Sequence, residues 1–193
     1  MRKLNLTKNK SKENRAKQLL LGGILIIIMF FSVLGYSFRG KNNSETNDKV
    51  IYNSLEFIKS GNHWIAQKEN LRLVFKYNPN EIKRIDSNLN PLDNYLNQPL
   101  YVYSENQEAE YEIYNNLHPN SNRIVQRIQP ACINEENCAQ NVPIKTCEDN
   151  LIIIQPSEQI NISQNLSCVF IQGPEEELVK ITDEFLFKLF KIT

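Results

Sequence analysis

The chain has no cysteine before residue 132, only two histidines, a single tryptophan, and none of the short signatures that announce a reaction. Without a G-x-S-x-G elbow, a Walker loop, a dinucleotide-binding glycine pattern or a kinase set, the enzyme classes those motifs mark are excluded. His63 and His118 form no H-E-x-x-H pair, so a helical zinc protease site is excluded as well. No two cysteines are separated by two to four residues, which removes the usual knuckle of a structural zinc site and the C-x-x-C of a disulfide oxidoreductase. There is no internal repeat.

What the sequence does contain begins at its N-terminus. Residues 2–17 carry Arg2, Lys3, Lys8, Lys10, Lys12, Arg15 and Lys17 against one acid, Glu13. An uncharged run, "LLLGGILIIIMFFSVLGYSF", extends from Leu19 to Phe38. A helix of that length rises about 30 Å, the hydrocarbon thickness of a bilayer. Cationic flanks stay on the cytoplasmic side. The expected order is a cytoplasmic basic tail (1–18), a transmembrane helix (19–38), a polar linker (39–49) and an extracytoplasmic domain (50–193). The competing reading is a signal peptide cleaved after Gly35, with Val33 and Gly35 as the small residues of the cleavage site. The apolar run exceeds the roughly 7–15 residues of a signal core, which favours an uncleaved signal-anchor.

The formal net charge of zero divides unequally across this boundary. Seven of the 22 Lys+Arg and one of the 22 Asp+Glu precede the apolar run, leaving 15 and 21 after it. An acidic exterior part repels phosphate backbones, so nucleic acid is not an expected partner. The basic arm faces the lipid bilayer and its anionic headgroups.

Cys132, Cys138, Cys147 and Cys168 all fall in the exterior part, and their number is even. An oxidising compartment then points to two structural disulfides. The expected pairs are Cys132–Cys138, closing the "INEEN" loop, and Cys147–Cys168, tying that loop to a later strand. A four-cysteine metal site and a redox-active thiol are the alternatives.

Period-two alternation over residues 54–77, with a turn at "SGN" (60–62), predicts a three-stranded antiparallel meander. Asn78, Pro79 and Glu81 carry helix-start chemistry, predicting a short helix to about Ile85. Strands are predicted at 99–104, 122–129, 151–155 and 166–173, with a helix over 105–117 whose stripe is Ala109, Ile113 and Leu117. Strand 99–104, that helix and strand 122–129 form a candidate parallel βαβ unit. A last helix begins after Pro174, with Leu178, Ile181, Phe185 and Leu189 along one face, lying against a sheet.

Candidate sites are few. Asp86, Asn88 and Asn90 have the spacing of a calcium loop, but Pro91 stands where the glycine belongs and Asn97 where the bidentate Glu belongs. His63 reads as a packing or surface residue, His118 as a helix-end residue and Trp64 as core of the meander. Sequons for glycosylation occur outside at Asn42, Asn161 and Asn165; Asn5 forms another on the inner side.

The sequence therefore predicts an α/β (mixed α+β) extracytoplasmic domain with an antiparallel meander and a C-terminal helix, preceded by one transmembrane helix. No catalytic residue, metal or cofactor is assigned. The expected function is a single-pass membrane protein with a non-catalytic binding or assembly domain, whose partners include other cell-envelope proteins. The alternative is a membrane-tethered hydrolase built from scattered Asp, Glu, Ser and His. A cleft that gathers one of the two histidines with two acidic groups would favour that alternative.

Overall fold

Short alternating stretches joined by tight turns make the first sheet. In the computed structural model, which describes residues 20–32, 48–136 and 138–193, four antiparallel strands follow one another: β1 Lys49–Tyr52, β2 Leu55–Ser60, β3 His63–Lys68 and β4 Leu71–Phe75. The meander thus has one strand more than the alternation predicts, and its first strand begins on the last residue assigned to the linker. The β1–β2 turn is Asn53–Ser54, both with positive φ (46° and 66°). That twist suits a two-residue hairpin, but without a glycine it leaves a weak signal in the sequence.

The chain divides into Met1–Thr46 and Asn47–Thr193. In the first unit a helix, α1, is described over residues 20–32. Among the described residues no helix is long and apolar enough to cross a membrane. The basic tail 1–18, both ends of the 19–38 run, most of the linker and the Asn42 sequon lie outside the described residues.

The second sheet has five strands in the order β6-β5-β7-β9-β8: β5 Pro99–Ser104, β6 Arg127–Pro130, β7 Leu151–Pro156, β8 Asn161–Asn165 and β9 Cys168–Gly173. β5 runs parallel to β6 and β7, and β7 parallel to β9; only β8 is antiparallel. The βαβ expectation holds for β5, helix α2 (Gln107–Leu117) and β6, with later starts: the helix begins at Gln107 and the strand at Arg127. β8 has no counterpart in the predicted elements. Its "NISQN" buries only Ile162, so it carries too short an apolar pattern to register.

Two helices fill the space between the sheets. Asn106 caps α2 by accepting from the Ala109 N–H at 2.9 Å. The buried stripe of α2 is Ala109, Glu112, Ile113, Asn116 and Leu117, so two polar residues share the predicted apolar face. Helix α3 (Leu178–Leu189) keeps only a narrow edge toward solvent: every residue except Lys180 and Lys188 is buried. One side lies on β7, β8 and β9. The other sends Phe187 into Phe57 and Phe75 of the meander, at ring distances of 6.0 and 4.6 Å. The single predicted stripe is therefore half of its contact; Leu186, Phe187 and Phe190 supply the rest. Lys68 Nζ caps the end of α3, donating to the Phe190 and Lys191 carbonyls at 2.5 and 2.8 Å.

The predicted helix after Asn78 does not form. Its start does: the Asn78 N–H donates to Glu81 Oε2 (2.8 Å) and the Glu81 N–H to the Asn78 carbonyl (3.0 Å). The chain then runs on without helix to Pro91, packing Ile82, Ile85 and Leu89 against the core. Tertiary burial of three apolar side chains overrides a local cap.

The cysteine loop covers the outer face of the parallel sheet. Cys132 is bonded to Cys138 and Cys147 to Cys168, the two pairs expected from the sequence. Cys168 lies in a second, smaller core with Tyr101, Ala131, Leu151 and Ile153.

Truncating Phe187 removes a ring packed against two others at the centre of the sandwich. Phe187→Ala is expected to cost about 3–5 kcal/mol in urea unfolding, against less than about 0.5 kcal/mol for exposed Leu166→Ala.

Candidate functional site

Two places gather chemistry-bearing side chains. The first is closed. Glu112 on α2 and Asp183 on α3 are both buried, and they meet carboxyl to carboxyl between the helices. Asp183 Oδ2 accepts the Tyr77 N–H at 2.9 Å. Asp183 Oδ1 and Glu112 Oε2 are buried with no donor among the described residues. A proton on one carboxyl lets it donate to the other, whereas two buried carboxylates side by side would repel. Burial pushes Glu112 up to about 7, countered in part by its hydrogen bond to Asp183. Burial also holds Asp183 well above the usual carboxylate range, and the Glu112 charge adds to it. The pair is a proton-linked brace between helices, and neither residue contributes to the surface clefts at Arg72, Ile82 or Asp86.

The second place is open. The solvent face of the meander carries an aliphatic row, Ile58, Ile65 and Val74, paired strand to strand. At one end of that row lies a cleft of about 600 Å³ with Ile65 and Val74 in its lining. Ser60 comes from the end of β2, His63 from the start of β3 and Arg72 from β4. Asn115 comes from α2, and Asn120 and Ser121 from the loop after it.

That wall is fixed by two side-chain amides. Asn116 Oδ1 accepts the Val74 N–H (2.9 Å) and its Nδ2 donates to the Val74 carbonyl (2.7 Å). Asn122 does the same for Arg72, at 3.0 and 3.1 Å. Each amide stands in for a residue of a neighbouring strand and closes the β4 edge. His118 orders the loop between them: its Nδ1 accepts the Asn120 N–H at 3.1 Å, and its carbonyl accepts from Ser121 and Asn122. So His63 lines the cleft, His118 supports the loop that carries Asn120 and Ser121, and Trp64 is buried on the opposite face of the sheet, 5% exposed. The cleft lining holds no carboxylate. Sequence reasoning missed the cleft because its amides come from "NN" and "NSN", which read simply as polar.

Two smaller clefts flank the segment before Pro91. One, of about 400 Å³, has Ile82, Ile85, Ile160 and Ile181 among Lys83 and Lys180. Gly173 lets Ile181 approach there, since a Cβ at Gly173 would collide with Ile181 Cδ1. The other, of about 380 Å³, includes Asp86 and Asn88 of the calcium-like segment, but with Arg84, Lys188 and Lys191 beside them. Asn90 turns instead to Gln164 and Leu166. Among the described residues no three His, Cys, Asp or Glu side chains are grouped to hold a metal. Asn161 and Asn165 are exposed on the edge strand β8.

The acid pair sets the sign of a pH dependence. Carboxyls with raised folded-state values stabilise the fold fully below the unfolded value, near 4.5 for Glu112, and that stabilisation is lost as pH rises through about 7. Urea unfolding is expected to lose on the order of 2–3 kcal/mol between pH 5 and pH 8. Glu112→Gln, whose amide donates to Asp183 without a titrating proton, is expected to flatten that profile.

No protein family, no curated protein and no solved structure matches the chain.

Proposed function

We propose that residues 50–193 form a non-catalytic extracytoplasmic binding or assembly domain, held at the membrane by the apolar segment 19–38 with the N-terminus in the cytoplasm. The single observation that carries the binding role is the preformed cleft on the open face of the meander. Its polar wall is rigid before any ligand arrives, because Asn116 and Asn122 hold β4 in place. Preorganised polar groups beside an apolar patch suit recognition, since little ordering entropy remains to be lost. The hydrolase alternative asks for a histidine with two acidic groups. His63 has Arg72, amides and hydroxyls as its neighbours in the cleft, and the close acid pair, Glu112 and Asp183, is shut in the core. The exterior location is supported by the basic arm before the apolar run and by two disulfides, which persist in oxidising compartments.

Both halves of the proposal have tests on the full-length chain. Leu166→Cys, at a position 71% exposed, should react with a membrane-impermeant maleimide on intact cells; reaction only after lysis refutes the exterior location. Capture from gently solubilised membranes should recover a reproducible set of envelope components with the unsubstituted chain and lose it with Arg72→Ala. An unchanged set would refute the cleft as the binding site.

A further inference from the structure

The chemistry of the cleft on the meander narrows its ligand, provided that the cleft is the binding site of the proposed domain. We propose that it takes an acidic sugar, a pyranose ring bearing a carboxylate of the uronic acid type, with Arg72 as the carboxylate partner. Arg72 is exposed, lines the cleft, and among the described residues is joined to no carboxylate, although acids outnumber cations in the exterior part. A guanidinium grips a carboxylate through two parallel N–H donors, so an anion is its natural complement.

The remaining polar lining is uncharged apart from the titratable ring of His63. Asn115 and Asn120 each offer donors and an acceptor, and Ser60 and Ser121 each offer a hydroxyl. That mixed set matches ring hydroxyls, which also donate and accept. Ile65 and Val74 give a C–H face an apolar surface to rest on.

An extended peptide is the poorer fit. Peptides dock onto sheets by adding a strand to a free edge. Here the Arg72 and Val74 backbone groups at the β4 edge are already taken by Asn122 and Asn116. What the cleft has left to offer is side-chain chemistry, which suits hydroxyls better than a peptide backbone.

The full-length chain in detergent micelles can be titrated by calorimetry with glucuronate, glucose, acetate and a dipeptide with a free carboxylate. Glucuronate is expected to bind at least about tenfold more tightly than the other three, the scale of one charge-assisted pair. Arg72→Gln should erase the preference of glucuronate over glucose. Its fold should survive, because the Asn122 clamp holds the backbone of residue 72 and not its side chain. Ser121→Trp, which fills the cleft, should abolish binding. Equal affinity for glucose and glucuronate, binding of the dipeptide or acetate as tightly as glucuronate, or no saturable glucuronate binding would each overturn the assignment. If glucuronate is ignored while Arg72→Ala still loses captured envelope components, the sugar assignment falls and the binding domain stands.

Discussion

Everything in the domain is arranged around a helix that keeps only the narrow edge of Lys180 and Lys188 toward water. α3 is pressed between a parallel sheet and an antiparallel one, and its three consecutive polar residues, Thr182, Asp183 and Glu184, are buried with it. A helix in that position needs apolar side chains all round, or partners for those that are polar. Each acid is answered by a different segment. Asp183 meets Glu112 and the Tyr77 N–H; Glu184 accepts from Ile85 N at 3.4 Å, in the segment leading to Pro91. That segment runs over the surface of the core without forming the short helix its start predicts, because a backbone donor and its half-buried isoleucines both find partners there.

How much of this is readable from residues depends on the range of the interaction. Local patterns carry far: alternation in "LRLVFKY" locates β4, "PLYVYS" locates β5, and the run "LIII" locates β7, whose central parallel place between β5 and β9 is shown by the fold. That the cysteines form two disulfides is readable from their even number, while the choice among three connectivities is made only by the fold, which pairs Cys132 with Cys138 and Cys147 with Cys168. What stays illegible is long-range. The two buried polar residues on the α2 stripe, Glu112 and Asn116, look like ordinary solvent-facing positions until α3 and β4 arrive to meet them. The cleft has the same character, since its lining comes from β2, β3, β4, α2 and the loop beyond it, and its fixing amides act across 42 and 50 residues of chain.

The two sheets also differ in what they require of their outer faces. A sheet of parallel strands is apolar on both sides and must be covered on both. One face of the β5–β9 sheet lies on the helices; the other presents Tyr101, Leu151, Ile153 and Cys168. The covering here comes from the chain between Ala131 and Asn150, whose described residues have almost no regular structure. Scattered backbone hydrogen bonds hold it, among them the Cys132 N–H to the Pro143 carbonyl and the Lys145 N–H to the Cys132 carbonyl, and the cross-links add to its order. Cys147–Cys168, spanning 21 residues, removes unfolded-chain entropy worth about 3 kcal/mol and ties the loop to the strand it covers.

An antiparallel sheet carries no such demand. The meander buries Phe57, Ala66, Leu73 and Phe75 on one face and leaves the other to solvent, with Ile58, Ile65 and Val74 among polar neighbours. Its β4 edge is closed by side-chain amides, an arrangement that blocks pairing with another strand while keeping the face itself clear. The division of labour comes from strand direction. The parallel sheet gives its outer face over to a stapled cover, whereas the outer face of the meander stays open and carries the cleft beside Arg72.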